Sequence, residues 1–252
     1  MRLQGKVAVV TGGGSGFGAG IVRKFVAEGA RVIVADLNLE AALDVVAAVG
    51  VGARALRVDV SLAADVRTML DAAEHHFGPL DILVNNAGVG HLPQPLESLP
   101  EEEFDRLYAV NMKALYLAMR EAVPRFKARK KDGIKGVVLN MASTAGVSPR
   151  PRLAWYNASK GWVITATRAS AVELAPFGIR VNALNPVAGE TPMLKTFMGE
   201  DTPEVRARFL ASIPLGRFST PEDLGHAACF LCSDEASMIT GVCMEVDGGR
   251  CI

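Results

Sequence analysis

The chain has 252 residues, half of them hydrophobic, with 25 glycines and 27 basic against 27 acidic side chains. This length suits one α/β domain, and a formal net charge of zero gives no field to draw the chain to nucleic acid or an anionic bilayer. Four cysteines, Cys229, Cys232, Cys243 and Cys251, make no disulfide framework, and residues 1–6 lead into a strand-like run without a signal-peptide core, so a cytoplasmic protein is expected.

Residues 7–10 form a short β-branched run ending at Thr11-Gly12, and helical periodicity follows over 17–27. The next expected elements are a strand over 31–35, a helix over 39–48, a strand over 54–58, a helix over 62–77 and a strand over 82–84. A long helix is then expected over about 101–129, a strand over 136–141, a helix over about 155–175 and a strand over 180–184. Residues 191–216, broken by Pro192, Gly199, Pro203 and Pro214, read as looser chain, before a helix over 221–232 and a last strand over 242–246. Strict alternation predicts a doubly wound sheet of about seven parallel strands with helices on both faces. No repeat or linker divides the chain, so residues 1–252 read as a single catalytic domain with a substrate loop at about 189–216.

The run Gly12-Gly13-Gly14-Ser15-Gly16-Phe17-Gly18 sits between the first strand and first helix. There a backbone without Cβ atoms lets a pyrophosphate approach the free N–H groups of the helix terminus. Asp36 closes the second strand, near the spacing at which a carboxylate takes the ribose hydroxyls of NAD. A 2′-phosphate would meet that carboxylate, and the next residue is Leu37 rather than a neutralising arginine, so NAD is favoured over NADP.

Tyr156-Asn157-Ala158-Ser159-Lys160 places a phenol and an ammonium on one helical face. Lowering a tyrosine from its ordinary value to about 7 takes roughly 4 kcal/mol, which one cation about 4 Å away supplies at an effective dielectric near 20. Ser143 follows the strand over 136–141, at the sheet edge where open α/β folds bind ligands. His226, Cys229 and Cys232 read as helical core packing rather than metal ligands, and no metal is expected.

The spacing Thr11-Gly12-x-x-x-Gly16-x-Gly18, with Tyr156-x-x-x-Lys160, resembles the short-chain dehydrogenase/reductase family over nearly the whole chain, which implies a Rossmann-type fold. Asp59-Val60 is similar to that family's adenine-contacting pair, Asn85-Asn86-Ala87-Gly88 to its motif after the fourth strand, and Pro221-Glu222-Asp223 with Val246-Asp247-Gly248-Gly249 to its C-terminal signature. The resemblance implies that Ser143 hydrogen-bonds the substrate oxygen, Tyr156 exchanges its proton, Lys160 holds the nicotinamide ribose and Asn111 steadies a water in the proton relay. It also implies a homotetramer, using the helices that start near residues 101 and 155 and the C-terminal 248–252. After the sixth strand the family carries Pro-Gly and an aliphatic residue before a threonine, whereas this chain reads Pro186-Val187-Ala188-Gly189-Glu190-Thr191, so Gly189 stands where the aliphatic backbone contact is made.

The expected activity is hydride exchange between NAD(H) and a secondary alcohol or its ketone. Substrate choice falls to residues 91–97, 145–155 and 190–202, where Leu92, Pro93, Val147, Leu153, Phe197 and Met198 offer an apolar wall and Arg150, Arg152 and Lys195 an anion site. Arg129-Lys130-Lys131 offers a dock for an acidic acyl carrier protein, which keeps a 3-oxoacyl reductase as the alternative, beside a sugar or polyol dehydrogenase. A non-catalytic NAD-binding protein is the alternative of another class.

Overall fold

The computed structural model describes residues 1–129, 133 and 135–252. Among these, strands β1 (Val7–Thr11), β2 (Arg31–Asp36), β3 (Ala53–Arg57), β4 (Ile82–Asn85), β5 (Gly136–Met141), β6 (Ile179–Pro186) and β7 (Cys243–Val246) form one parallel sheet in the order β3-β2-β1-β4-β5-β6-β7. β1, β5 and β6 are buried at every position, as apolar strands covered on both faces must be. Alternation along β1 divides the core. Ala8 and Val10 join the cluster under helices α1 (Gly16–Ala27) and α9 (Pro221–Cys232), while Val7 and Val9 join the cluster under α3 (Ala63–Phe77) and α5 (Ala114–Ala128).

Strand order reverses between β1 and β4, the first three strands building outward one way and the rest the other. Parallel strands set all their carboxyl ends on one edge, so Thr11, Asp36, Asn85, Met141 and Pro186 mark the rim where a crevice opens. Helices α2 (Leu39–Val49), α4 (Glu101–Leu107), α6 (Ala154–Leu174), α7 (Leu194–Met198) and α8 (Pro203–Leu210) complete the helical layers. Among the described residues no helix is long and apolar enough to cross a membrane.

Two sequence expectations need correction. The helix expected over 101–129 is not continuous, because a π-helical turn, Tyr108–Lys113, separates α4 from α5. Such an insertion re-aims side chains, and this one carries Asn111. The looser chain over 191–216 contains α7 and α8, the latter started by Thr202, whose side chain accepts from the Val205 N–H, with Pro203 in the first turn.

Candidate active site

The loop between β1 and α1 is held by its neighbour. Asn86 donates from Nδ2 to the carbonyls of Thr11 (2.8 Å) and Gly12 (3.0 Å), and Thr11 Oγ1 accepts from the N–H groups of Asn86 and Ala87, each at 3.0 Å. A Cβ on Gly18 would collide with the Gly12 carbonyl oxygen, so only glycine lets helix and loop close. No acidic side chain occupies the first turn of α1 and Ser15 makes no side-chain cap, which leaves a positive helix end facing the crevice.

Asp36 is half-buried beside that loop, with Oδ2 accepting from the Gly14 N–H (2.9 Å) and Oδ1 from the Asn38 N–H (3.0 Å). Each oxygen keeps a further acceptor site toward the crevice. Asp59 Oδ1 accepts from the Ser61 N–H (2.9 Å) and hydroxyl (2.6 Å), and exposed Leu37 lies beside Asp36 in the chain. One cavity of about 560 Å³ takes in Gly12, Ser15, Gly16, Phe17, Gly18, Asp36, Leu37, Asp59, Val60, Asn86, Ala87 and Gly88 on this side. On the other side it takes in Pro186, Gly189, Thr191, Ser143, Tyr156 and Lys160.

Tyr156 and Lys160, one turn apart on α6, are both buried. Ser143 accepts from the Ala145 N–H at 3.1 Å and also hydrogen-bonds Tyr156. Burial pushes the Tyr156 phenol up to about 12, against the Ser143 hydrogen bond and the Arg150 charge, which both favour the phenolate. Burial also draws the Lys160 ammonium down to about 8. Its Nζ donates to the Met141 carbonyl at 2.8 Å and stands 5.9 Å from the Tyr156 ring centroid.

Asn111 does not reach the main cavity. Its Oδ1 accepts from the Val89 N–H (2.9 Å), and its Nδ2 donates to the Val89 carbonyl (3.0 Å) and Ser159 Oγ (3.0 Å). It lines a small adjoining cavity of about 20 Å³ that also touches Lys160. Ser159, which sequence reasoning passed over, donates to the Tyr156 carbonyl at 2.7 Å and so ties Asn111 to the tyrosine's backbone. Its signal was its place between Tyr156 and Lys160.

Of the expected apolar wall, the cavity includes Leu153 and Phe197 but not Leu92, Pro93, Val147 or Met198. Leu92 and Val147 are exposed, and Met198 packs inward with Val187, Leu194 and Phe218. Phe197 lies 4.8 Å from the Tyr156 ring, and Phe209, from the unexpected α8, completes the wall. Of the three candidate cations, only Arg150 lines the cavity, Arg152 and Lys195 being exposed outside it. Arg129 is tied to the Leu80 carbonyl (2.6 Å), Asp81 Oδ1 (2.8 Å) and the Lys135 carbonyl (3.1 Å), and the rest of the expected docking run, Lys130 and Lys131, lies outside the described residues. On α9, His226 is exposed while Cys229 and Cys232 are buried in the core, so these three side chains do not converge.

The chain matches, over residues 12–250, the family model described as enoyl-(acyl carrier protein) reductase. It is 50% identical over 254 residues to 4-formylbenzenesulfonate dehydrogenase of Comamonas testosteroni, covering 99% of each chain. It belongs to the short-chain dehydrogenase/reductase family. Among solved structures it is similar to a 3-ketoacyl-(acyl-carrier-protein) reductase from Brucella melitensis complexed with NADH, at 52% identity and a TM-score of 0.93, covering 99% of this chain and 100% of that one. It is also similar to levodione reductase, at 30% identity and a TM-score of 0.94, covering 99% of each chain. The protein is therefore an oxidoreductase of the short-chain dehydrogenase/reductase family.

Within this family the displaced Gly189 now has a physical reason. A Cβ there would strike the Phe17 ring and crowd the Ser219 carbonyl. Gly189 bridges in parallel to Ser219, with the Glu190 N–H donating to the Ser219 carbonyl at 2.9 Å. Thr191 follows, its N–H bonded to the Gly189 carbonyl at 2.8 Å and its side chain against Gly16.

Proposed function

We propose that this short-chain dehydrogenase/reductase interconverts a secondary alcohol and its ketone with NAD(H), Tyr156 acting as general acid and base. The carrying observation is that buried Tyr156, hydrogen-bonded to Ser143, shares one cavity with the glycine loop and Asp36. The residues present fit a dinucleotide. The Gly18 contact allows no Cβ, the α1 terminus offers unpaired N–H groups, and Asp36 retains acceptor sites for two ribose hydroxyls. Asp59, Val60, Ala87 and Gly88 would flank the adenosine half, and Lys160, Pro186, Gly189 and Thr191 the nicotinamide half. When bound, the nicotinamide supplies or accepts the hydride and, oxidised, brings a positive charge beside the phenol.

For reduction, Ser143 donates a hydrogen bond to the carbonyl oxygen and Tyr156, protonated at neutral pH, gives it a proton. For oxidation, Tyr156 must be ionised to take the alcohol proton, and the Ser143 hydrogen bond and the Arg150 charge both favour that form. Asn111, bonded to Val89 and Ser159, ties the segment after β4 to the catalytic helix, and the small cavity it shares with Lys160 has room for one water in a proton path.

NAD(H)- and NADP(H)-linked turnover is the test, oxidised dinucleotide with secondary alcohols, polyols and 4-formylbenzenesulfonate, reduced dinucleotide with diketones and a 3-oxoacyl thioester, the sulfonate and the thioester chosen from the names of the relatives. NAD(H)-linked conversion of an alcohol or ketone supports the reading, and dinucleotide binding without turnover across the panel supports the non-catalytic alternative. Asp36→Ala is expected to raise the NADPH-to-NADH ratio of kcat/KM by about tenfold or more, because the carboxylate that repels a 2′-phosphate is gone. An unchanged ratio removes Asp36 from cofactor choice.

We read residues 1–252 as one catalytic domain, residues 189–216 as its substrate cover and the assembly as a homotetramer in the cytoplasm. Phe104, Tyr108 and Tyr116 on the α4 to α5 run and Val172 on α6 are exposed apolar side chains available for burial by other subunits. Light scattering is expected to give the mass of four chains; a monomer mass contradicts it.

A further inference from the structure

Arg150 enters the active-site cavity from the segment Pro149-Arg150-Pro151, between Ser143 and Tyr156. A proline on each side restricts the backbone, and the Arg150 carbonyl accepts from Asn157 Nδ2 at 2.7 Å, so the side chain leaves from a fixed point. Among the described residues no carboxylate forms an ion pair with its guanidinium. Its Cζ stands 4.4 Å from the centroid of the Phe209 ring. The other cations lining the cavity are already committed, Arg106 to the Gly90 carbonyl (2.9 Å) and Glu103 (2.8 Å) and Lys160 to the Met141 carbonyl (2.8 Å). Behind Arg150 stands a second guanidinium, Arg250, which donates to Ser148 Oγ at 3.2 Å and has a buried Nε without a hydrogen-bond partner. Burial and the Arg250 charge both hold the Arg150 guanidinium below its ordinary value.

A partly buried cation without a carboxylate, next to another cation and facing a cavity walled by Phe197 and Phe209, is an arrangement that an anionic ligand group would complete. We propose that Arg150 anchors a carboxylate or sulfonate on the substrate, the preferred substrate being an aromatic alcohol or ketone that carries such an anionic substituent. This rests on the alcohol–ketone reading above and narrows it: a free acidic compound rather than a neutral polyol or an acyl chain.

The test has two arms. In the first, kcat/KM with NADH is compared for acetophenone, 4-acetylbenzoate and 4-acetylbenzenesulfonate in wild type, Arg150→Met and Arg150→Lys. The anionic-to-neutral ratio is expected to exceed about tenfold in wild type, to fall about thirtyfold in Arg150→Met, and to fall less in Arg150→Lys, which keeps the charge but loses the fork. In the second, benzenesulfonate and benzoate are titrated into the NADH complex by nicotinamide fluorescence, with a matched loss of affinity expected in Arg150→Met. An unchanged ratio, or unchanged affinity for both anions, overturns the anchor. Absence of all turnover with anion affinity still lost in Arg150→Met supports the anchor and fails the redox reading instead.

Discussion

Replacing Tyr156 with phenylalanine is expected to lower kcat by about 10³ to 10⁴, while affinity for NADH, read by fluorescence titration, stays within about threefold. Phenylalanine fills the same buried volume and keeps the ring contact with Phe197 at 4.8 Å, so the change removes the proton-carrying oxygen and leaves the walls. The pH profile gives a second reading. Burial holds the phenol up to about 12 in the free protein, so the form that donates a proton persists at neutral pH, and the form that accepts one grows as pH rises. Oxidative turnover should therefore climb with pH in wild type, and the residual rate of Tyr156→Phe should lose that dependence. A variant that keeps the wild-type rate and profile assigns the proton to another group.

Gly18→Ala is expected to weaken dinucleotide binding about a hundredfold and to lower unfolding free energy by about 1 to 3 kcal/mol, measured by calorimetric titration and by urea melts. The added methyl group meets the Gly12 carbonyl and the Asn86 amide. That carbonyl is itself held by Asn86 Nδ2 at 3.0 Å, so relief requires moving backbone and breaking the link between the glycine loop and the segment after β4. Wild-type affinity in this variant would mean that the loop adjusts freely and is not a fixed phosphate cradle.

Short β-branched runs and abrupt turn residues made the sheet legible in the sequence, because a parallel strand covered on both faces is an unbroken apolar run. The dinucleotide side was legible for a related reason: Gly18 and Asp36 act through backbone clearance and a single charge at fixed chain distances. The π turn around Asn111 was not, since it depends on bonds to Val89 and Ser159, both distant in sequence. Helices α7 and α8 hid behind Pro203, although Thr202-Pro203 carries the same start signal that Thr220-Pro221 gives α9. Among Arg150, Arg152 and Lys195, composition made three equal candidates, and only the path of the chain brings Arg150 into the cavity.

The central claim, direct transfer between the nicotinamide and a carbon at the Tyr156 site, is tested most directly with deuterated NADH and the ketone turned over fastest. The account predicts one deuterium on the carbinol carbon of the product, formed at a rate that falls with Tyr156→Phe. Product without deuterium on that carbon, or labelling undiminished in the variant, would contradict it.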